Sequence, residues 1–262
     1  MRTREIPTVS LKLKPHETKF PYVRSVMDGE IEGAYIEHVT IDNNGIADLQ
    51  SEDCKTIYLF FRGQGTIVAN NLDYEIVPET IFLPNEIKSI KIEAEGESKL
   101  HYLKISSKLT DQDKMELEKF PSENTQSVYY AKFSDCQSYV EPIKSPNTVS
   151  RTILPNKIIP RVAMGTVQTK GPDEVGAHQH PMLEQLFLGL SKNSCVVYAD
   201  NAKVNFPEHA LLHIPLGSRH SVSVNEGENL HYVWMDFFLD SKGEEWLKTH
   251  IVEDKDTNHG IL

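Results

Sequence analysis

At 262 residues the chain is long enough for one large domain or two of ordinary size, and its 39% apolar and 25% charged residues are those of a soluble globular protein. No run approaches the roughly 20 apolar residues that cross a bilayer, and the opening MRTREIPTVSLKLKPHETKF has no apolar signal core. The net charge of −11 argues against nucleic acid as a partner, because neutralising phosphates needs a basic surface. Cys54, Cys136 and Cys195 are odd in number and far apart, which suits free thiols in a reducing cytoplasm.

In chain order, an amino-terminal arm precedes a first unit that starts near Lys19, and the arm is expected to pair with a neighbouring sheet or subunit. Strands are predicted over Ala34–Ile41, Thr56–Phe61, Thr66–Ala69, Thr80–Leu83, Ser89–Ala94 and Leu100–Ile105. They are short, rich in Ile, Tyr, Phe, Val and Thr, and bounded by turns such as Asn43-Asn44-Gly45. Many short strands with almost no helical periodicity indicate a sandwich or barrel. The clearest helix is Leu109–Phe120, with Thr110 or Asp111 as cap, acidic residues in its first turn and Pro121 as its stop. A Ser/Asn-rich stretch, Ser122–Ser127, leads into the second unit. Ser241–Thr249 reads as a short closing helix and Asp254–Leu262 as a loose tail.

An internal repeat sets the domain count. Phe82–Leu103 parallels His213–Val233, with Pro84 matching Pro215 and Gly96 matching Gly227, 131 residues apart. Solenoid repeats run about 20–50 residues, so half a chain is a duplicated domain. The predicted division is an N-terminal barrel over 1–108, a helix and linker over 109–134, and a C-terminal barrel over 135–262.

The second copy carries a metal-ligand pattern. Alternate residues of a strand share a face, so His178 and His180 in GAHQHPMLEQLFLG point the same way. Glu184 follows four residues later, and His220 lies just past Pro215-Leu216-Gly217. Three imidazoles and a carboxylate from two strands suit a divalent transition metal: Mn, Fe, Ni or Zn. The first copy offers Gln50, Glu52, Thr56 and Ser89 at those positions and reads as a metal-free structural barrel.

These residues resemble the two cupin motifs. His178, His180 and Glu184 match the first, Gly…His-x-His-x3–4-Glu, and Pro215, Gly217 and His220 match the second, Pro-x-Gly-x-x-His. The departure is Ser191, where the motif usually carries a glycine. The resemblance implies an all-β fold of two tandem jelly-roll barrels with a short linking helix. Arg151-Thr152-Ile153, Met164-Gly165 and Cys195-Val196-Val197 are similar, more loosely, to the bicupin isomerases of keto-deoxyuronates and deoxyglucuronates, although His180-Pro181-Met182 lacks the arginine-bearing linker of some of them.

An isomerase that moves a carbonyl to the next carbon removes an alpha proton, and a chelated divalent ion stabilises the charge that develops. Arg161 and Arg219 are the cations nearest the motif and read either as contacts for a uronate carboxylate or as exposed solubilising residues. Trp234 reads as a sugar-stacking residue or as core. His213, Tyr198 and His231 lie on neighbouring strands, facing in or out, and no catalytic base is assigned. The expectation is a cytoplasmic homodimer or higher oligomer, an isomerase of a small carbohydrate. A cupin-type metal-dependent dioxygenase and a non-catalytic small-ligand binder are the alternatives.

Overall fold

The computed structural model describes residues 3–240 and Gly243. The first half contains β1 (Thr8–Ser10), β2 (Tyr22–Val26), β3 (Ala34–Ile41), β4 (Ile46–Leu49) and β5 (Cys54–Arg62). It continues through β6 (Gln64–Ala69), β7 (Leu72–Ile76), β8 (Thr80–Leu83), β9 (Ser89–Glu95) and β10 (Leu100–Lys108). Helices α1 (Asp111–Leu117) and α2 (Ser122–Thr125) follow, then β11 (Tyr129–Lys132), β12 (Ser138–Tyr139), β13 (Val149–Ile159), β14 (Val162–Lys170) and β15 (Asp173–His178). The last strands are β16 (Leu183–Gly189), β17 (Ser194–Ala199), β18 (Ala202–Pro207), β19 (Ala210–Ile214), β20 (His220–Val224) and β21 (Asn229–Phe238). The closing helix and tail expected beyond Asp240 lie outside the described residues, Gly243 excepted.

The strands form four antiparallel sheets, two to a barrel. The outer sheets have orders β4-β9-β6-β7 and β15-β20-β17-β18, and the inner ones β11-β8-β5-β10-β3-β2 and β1-β19-β16-β21-β14-β13-β12. The two orders correspond except that the second inner sheet carries β12 as an added edge strand, with β8, β9 and β10 of the first copy answering to β19, β20 and β21 of the second. The duplication expected from the repeat is therefore present in the topology, and the fold is two tandem jelly-roll barrels.

Burial follows from the stacking. Ile57, Leu59, Phe61, Leu103 and Ile105 from one inner sheet meet Met164, Leu186, Leu188, Val233 and Met235 from the other in a core between the barrels. Separate cores fill the first barrel, around Tyr58, Phe60 and Phe82, and the second, around Phe187, Phe206 and Tyr232. Strands of the inner sheets are thus apolar on both faces, as in the unbroken run Ile57–Phe61, whereas outer-sheet strands such as β9 alternate buried and exposed.

The edge strands are exchanged. β1, which precedes the first barrel, pairs with β19 of the second, and β11, which precedes the second barrel, pairs with β8 of the first. The arm does pair with a neighbouring sheet as expected, and it places Ile6 in the core of the second barrel. The contiguous boundaries need correction, because the 109–134 linker supplies an integral strand of the first barrel and residues 1–108 supply one of the second.

Thr110 caps α1 in a capping box with Asp113: the Asp113 amide donates to Thr110 Oγ1 at 3.1 Å, and the Thr110 amide donates to Asp113 Oδ2 at 2.8 Å. Arg161, in the β13–β14 turn, grips the same carboxylate through Nε and a terminal nitrogen, both at 2.8 Å, and ties the helix to the second barrel. Among the described residues no helix is long and apolar enough to cross a membrane.

Candidate metal centre

β15 and β20 are antiparallel neighbours, and their register sets His178, the last residue of β15, opposite His220, the first of β20. His180 lies two residues past the strand end. The Pro215-Leu216-Gly217 turn holds it there: Gly217, at φ +71, donates its amide to the His180 carbonyl at 3.3 Å, and Ser218 closes the turn with a 3.0 Å bond to the Pro215 carbonyl. One ring nitrogen from each of His178, His180 and His220 falls within 4.8 Å of the others. The His178 and His220 rings approach to 4.3 Å between centroids.

The tautomers are set by backbone. A carbonyl only accepts, so His178 Nδ1 donates to Gly176 O at 2.7 Å and His220 Nδ1 to Ser218 O at 3.1 Å, and in the neutral ring the lone pair is then on Nε2. Bonds of this kind from the far side of the ring orient imidazoles for metal ligation, and a mostly buried triad held this way fits a divalent transition metal.

The triad opens on a cavity of about 410 Å³ inside the second barrel. Its wall is apolar at Phe187, Val222 and Leu154 and polar at Tyr139, Glu141, Lys144, Gln185 and Asp236. The Tyr139–Lys144 segment is anchored against β15 by the 2.7 Å bond from the Gly176 amide to Ile143 O. Lys144 Nζ lies 2.7 Å from Glu141 and 3.1 Å from Ser150 Oγ. Burial lowers the Lys144 ammonium pKa, and Glu141 partly offsets this. Burial pushes the Asp236 carboxyl up to about 7, against the hydrogen bond from Gln185 Nε2 at 2.7 Å.

His178, His180 and His220 come together as predicted; Glu184 does not join them. Gln185 and Phe187 of β16 line the cavity, and the alternating Glu184, Leu186 and Leu188 face the first barrel. The Glu184 carboxylate accepts from His213 Nε2 at 2.8 Å, while His213 Nδ1 meets Glu30 at 2.9 Å. The expected carboxylate ligand is therefore a bridge between the barrels, and His213 is committed to the same bridge. Arg161 is bound to Asp113 and does not line the cavity. Arg219 is also outside the lining, on an exposed turn where its amide donates to Asp200. Trp234 does line the cavity, and Gly165 makes room for it, since a Cβ there would sit 2.3 Å from the indole. Tyr198 is 38% exposed and His231 lies 3.7 Å from Glu79, so neither lines the cavity.

In the first barrel, Gln50 donates to Tyr58 Oη and Tyr58 to Asp48, each at 2.7 Å, and Lys104 is 2.7 Å from the same carboxylate.

Asp236 is readable in the sequence as a lone acid in the apolar run Val233–Phe238, where a charge is costly without a purpose. Gln185 is hidden there because β16 is apolar on both faces. Glu141 and Lys144 fall on a nearly strandless segment that offers no periodic signal.

No family model matches the sequence, and no curated protein matches it significantly. Solved structures do share its shape. A single-residue variant of Bacillus subtilis oxalate decarboxylase superposes with a TM-score of 0.58 at 15% identity, covering 97% of this chain and 86% of that one. The Ylba protein of E. coli gives 0.60 at 13% identity, covering 78% and 77% of the two chains. A cupin 2 conserved barrel domain protein from Leptotrichia buccalis gives 0.55 at 14%, covering 91% and 92%. At such identities the likeness establishes the cupin fold.

Proposed function

We propose that the second barrel is a metal-dependent isomerase site for a small, oxygen-rich anionic substrate of the keto-uronate type, with the first barrel as scaffold. The observation that carries this reading is the triad of His178, His180 and His220 opening on a cavity that also holds Glu141, Lys144 and Asp236. When bound, a divalent ion supplies Lewis-acid polarisation of a carbonyl.

The chain's own residues supply the rest. Three neutral imidazoles leave the charge of a divalent ion undiminished, which favours an anionic chelating substrate. Lys144 is the cation of the cavity wall for a substrate carboxylate, the role the sequence had suggested for Arg161 and Arg219. Trp234 and Tyr139 offer apolar faces to a sugar ring. Glu141 is a wall carboxylate that can take a proton from one carbon and return it to the next. Phe187, Val222 and Leu154 limit water access.

The test is elemental analysis of purified protein beside a His178→Ala, His220→Ala variant. About one equivalent of Mn, Fe, Ni or Zn in the parent and none in the variant is expected. The loaded protein should then exchange solvent deuterium into a keto-uronate. Substrate-dependent oxygen uptake would transfer the site to dioxygenase chemistry, and a parent that neither holds nor takes up metal refutes the reading.

A further inference from the structure

On β16 Glu184 faces away from the triad, and the neighbouring residue faces it. Three residues separate His180 from Glu184, which turns that carboxylate toward the first barrel; one residue later the side chain points into the second. That residue is Gln185, only 6% exposed, and its amide is divided between two environments. Nε2 donates to Asp236 Oδ1 at 2.7 Å. Oε1 is buried and, among the described residues, has no hydrogen-bond donor. Buried amide oxygens in folded proteins are nearly always satisfied, so this one takes its partner from the cavity: a water, a ligand donor or a cation. Asp236, itself 4% exposed and directly opposite on β21, takes the NH2 group and so turns the amide oxygen away from itself.

We propose that Gln185 Oε1 is the fourth protein donor to the metal held by His178, His180 and His220, and that Asp236 is the positioning residue that aims it. The inference rests on the metal reading above and extends it. The set is three imidazoles and a carboxamide, all neutral. Carboxamide oxygen is a hard donor of the kind that suits manganese, beside imidazoles that suit iron, nickel and zinc.

The probe is Co²⁺ titrated into the full chain, read by its visible absorption and by competition with a chelator. Gln185→Ala and the volume-keeping Gln185→Met should each weaken Co²⁺ binding by at least about tenfold and alter its spectrum, with circular dichroism confirming the fold. Asp236→Asn replaces the acceptor with an amide that can donate to Gln185 Oε1 and so turn it round; a loss of roughly 10–100-fold is expected, as for other residues that orient a metal ligand. Glu184→Gln should leave affinity and spectrum at the parental values. If the Gln185 variants bind with parental affinity and spectrum, or if Glu184→Gln alone changes both, the assignment is overturned while the triad stands. A parent that binds no Co²⁺ removes the metal reading and this inference together.

Discussion

Replacing Arg161 with Ala separates a substrate-binding arginine from a structural one. The guanidinium makes two 2.8 Å bonds to Asp113, whose side chain is 2% exposed against 20% for Arg161. Burial alone would raise the Asp113 carboxyl pKa, but the bonds from Arg161 and Thr110 outweigh it and hold the group below its ordinary range. Removing one partner of a buried pair costs about 3–5 kcal/mol, because the other charge is left desolvated. The lower end applies here, since Thr110 still donates to Asp113 twice and Arg161 is partly hydrated. About 3 kcal/mol corresponds to a fall in Tm of roughly 6–12 °C in a chain of this size. Arg161 has φ +61, a cost that Ala bears equally, so the measured loss belongs to the side chain.

The pH dependence adds a second readout. In the parent, the depressed Asp113 pKa contributes stability above its unfolded value that is lost only as pH falls through the folded one. In the variant, burial without the guanidinium raises the pKa, so stability is recovered as the carboxyl protonates. The gap in Tm between the two proteins, followed by scanning calorimetry, should therefore narrow on acidification from neutral pH. An Arg161→Met, Asp113→Leu double variant should regain most of the loss. A parental Tm in Arg161→Ala, combined with lost substrate binding, would refute this placement of Arg161.

Deleting residues 1–11 removes β1, Ile6 from the second barrel core and Leu11 from the core between barrels. On the order of 3–6 kcal/mol is expected from the two side chains, and hydrogen exchange should quicken in β19 and not in its counterpart β8; equal quickening in both contradicts the strand exchange. Gly165→Ala places a methyl 2.3 Å from Trp234 and 2.6 Å from Arg151 O, so a loss of about 1–3 kcal/mol should accompany a shift in Trp fluorescence. His38 and His101 are buried together, their facing nitrogens 3.3 Å apart with Thr40 between them, and burial lowers their pKa values to about 4 and about 3. The unfolded chain binds more protons than the fold between these values and 6.5, so stability falls as pH drops through that window, by on the order of 3 kcal/mol for His38. Chemical denaturation of a His38→Asn, His101→Asn variant should show a shallower slope there.

Turn punctuation and strand composition alone established the all-β duplicated fold, because Pro84, Gly96, Pro215 and Gly227 mark bends that few other residues tolerate. Local spacing also established the triad: His178 and His180 are neighbours on one extended segment, and the Pro-x-Gly turn delivers His220. Which way β16 faces was a tertiary matter. Its run Leu186-Phe187-Leu188 is buried on one side by the second barrel and on the other by the first, so no alternation of apolar and polar residues marks the inward face. That ambiguity gave Glu184 the place that Gln185 occupies. Arg161 followed the same logic, since its partner Asp113 lies on a helix 48 residues away, in a contact only the packed barrels create. The exchange of β1 and β11 is likewise invisible along the chain, because either strand satisfies its backbone equally well at any sheet edge, and only the stacking of the two barrels decides which edge lies within reach.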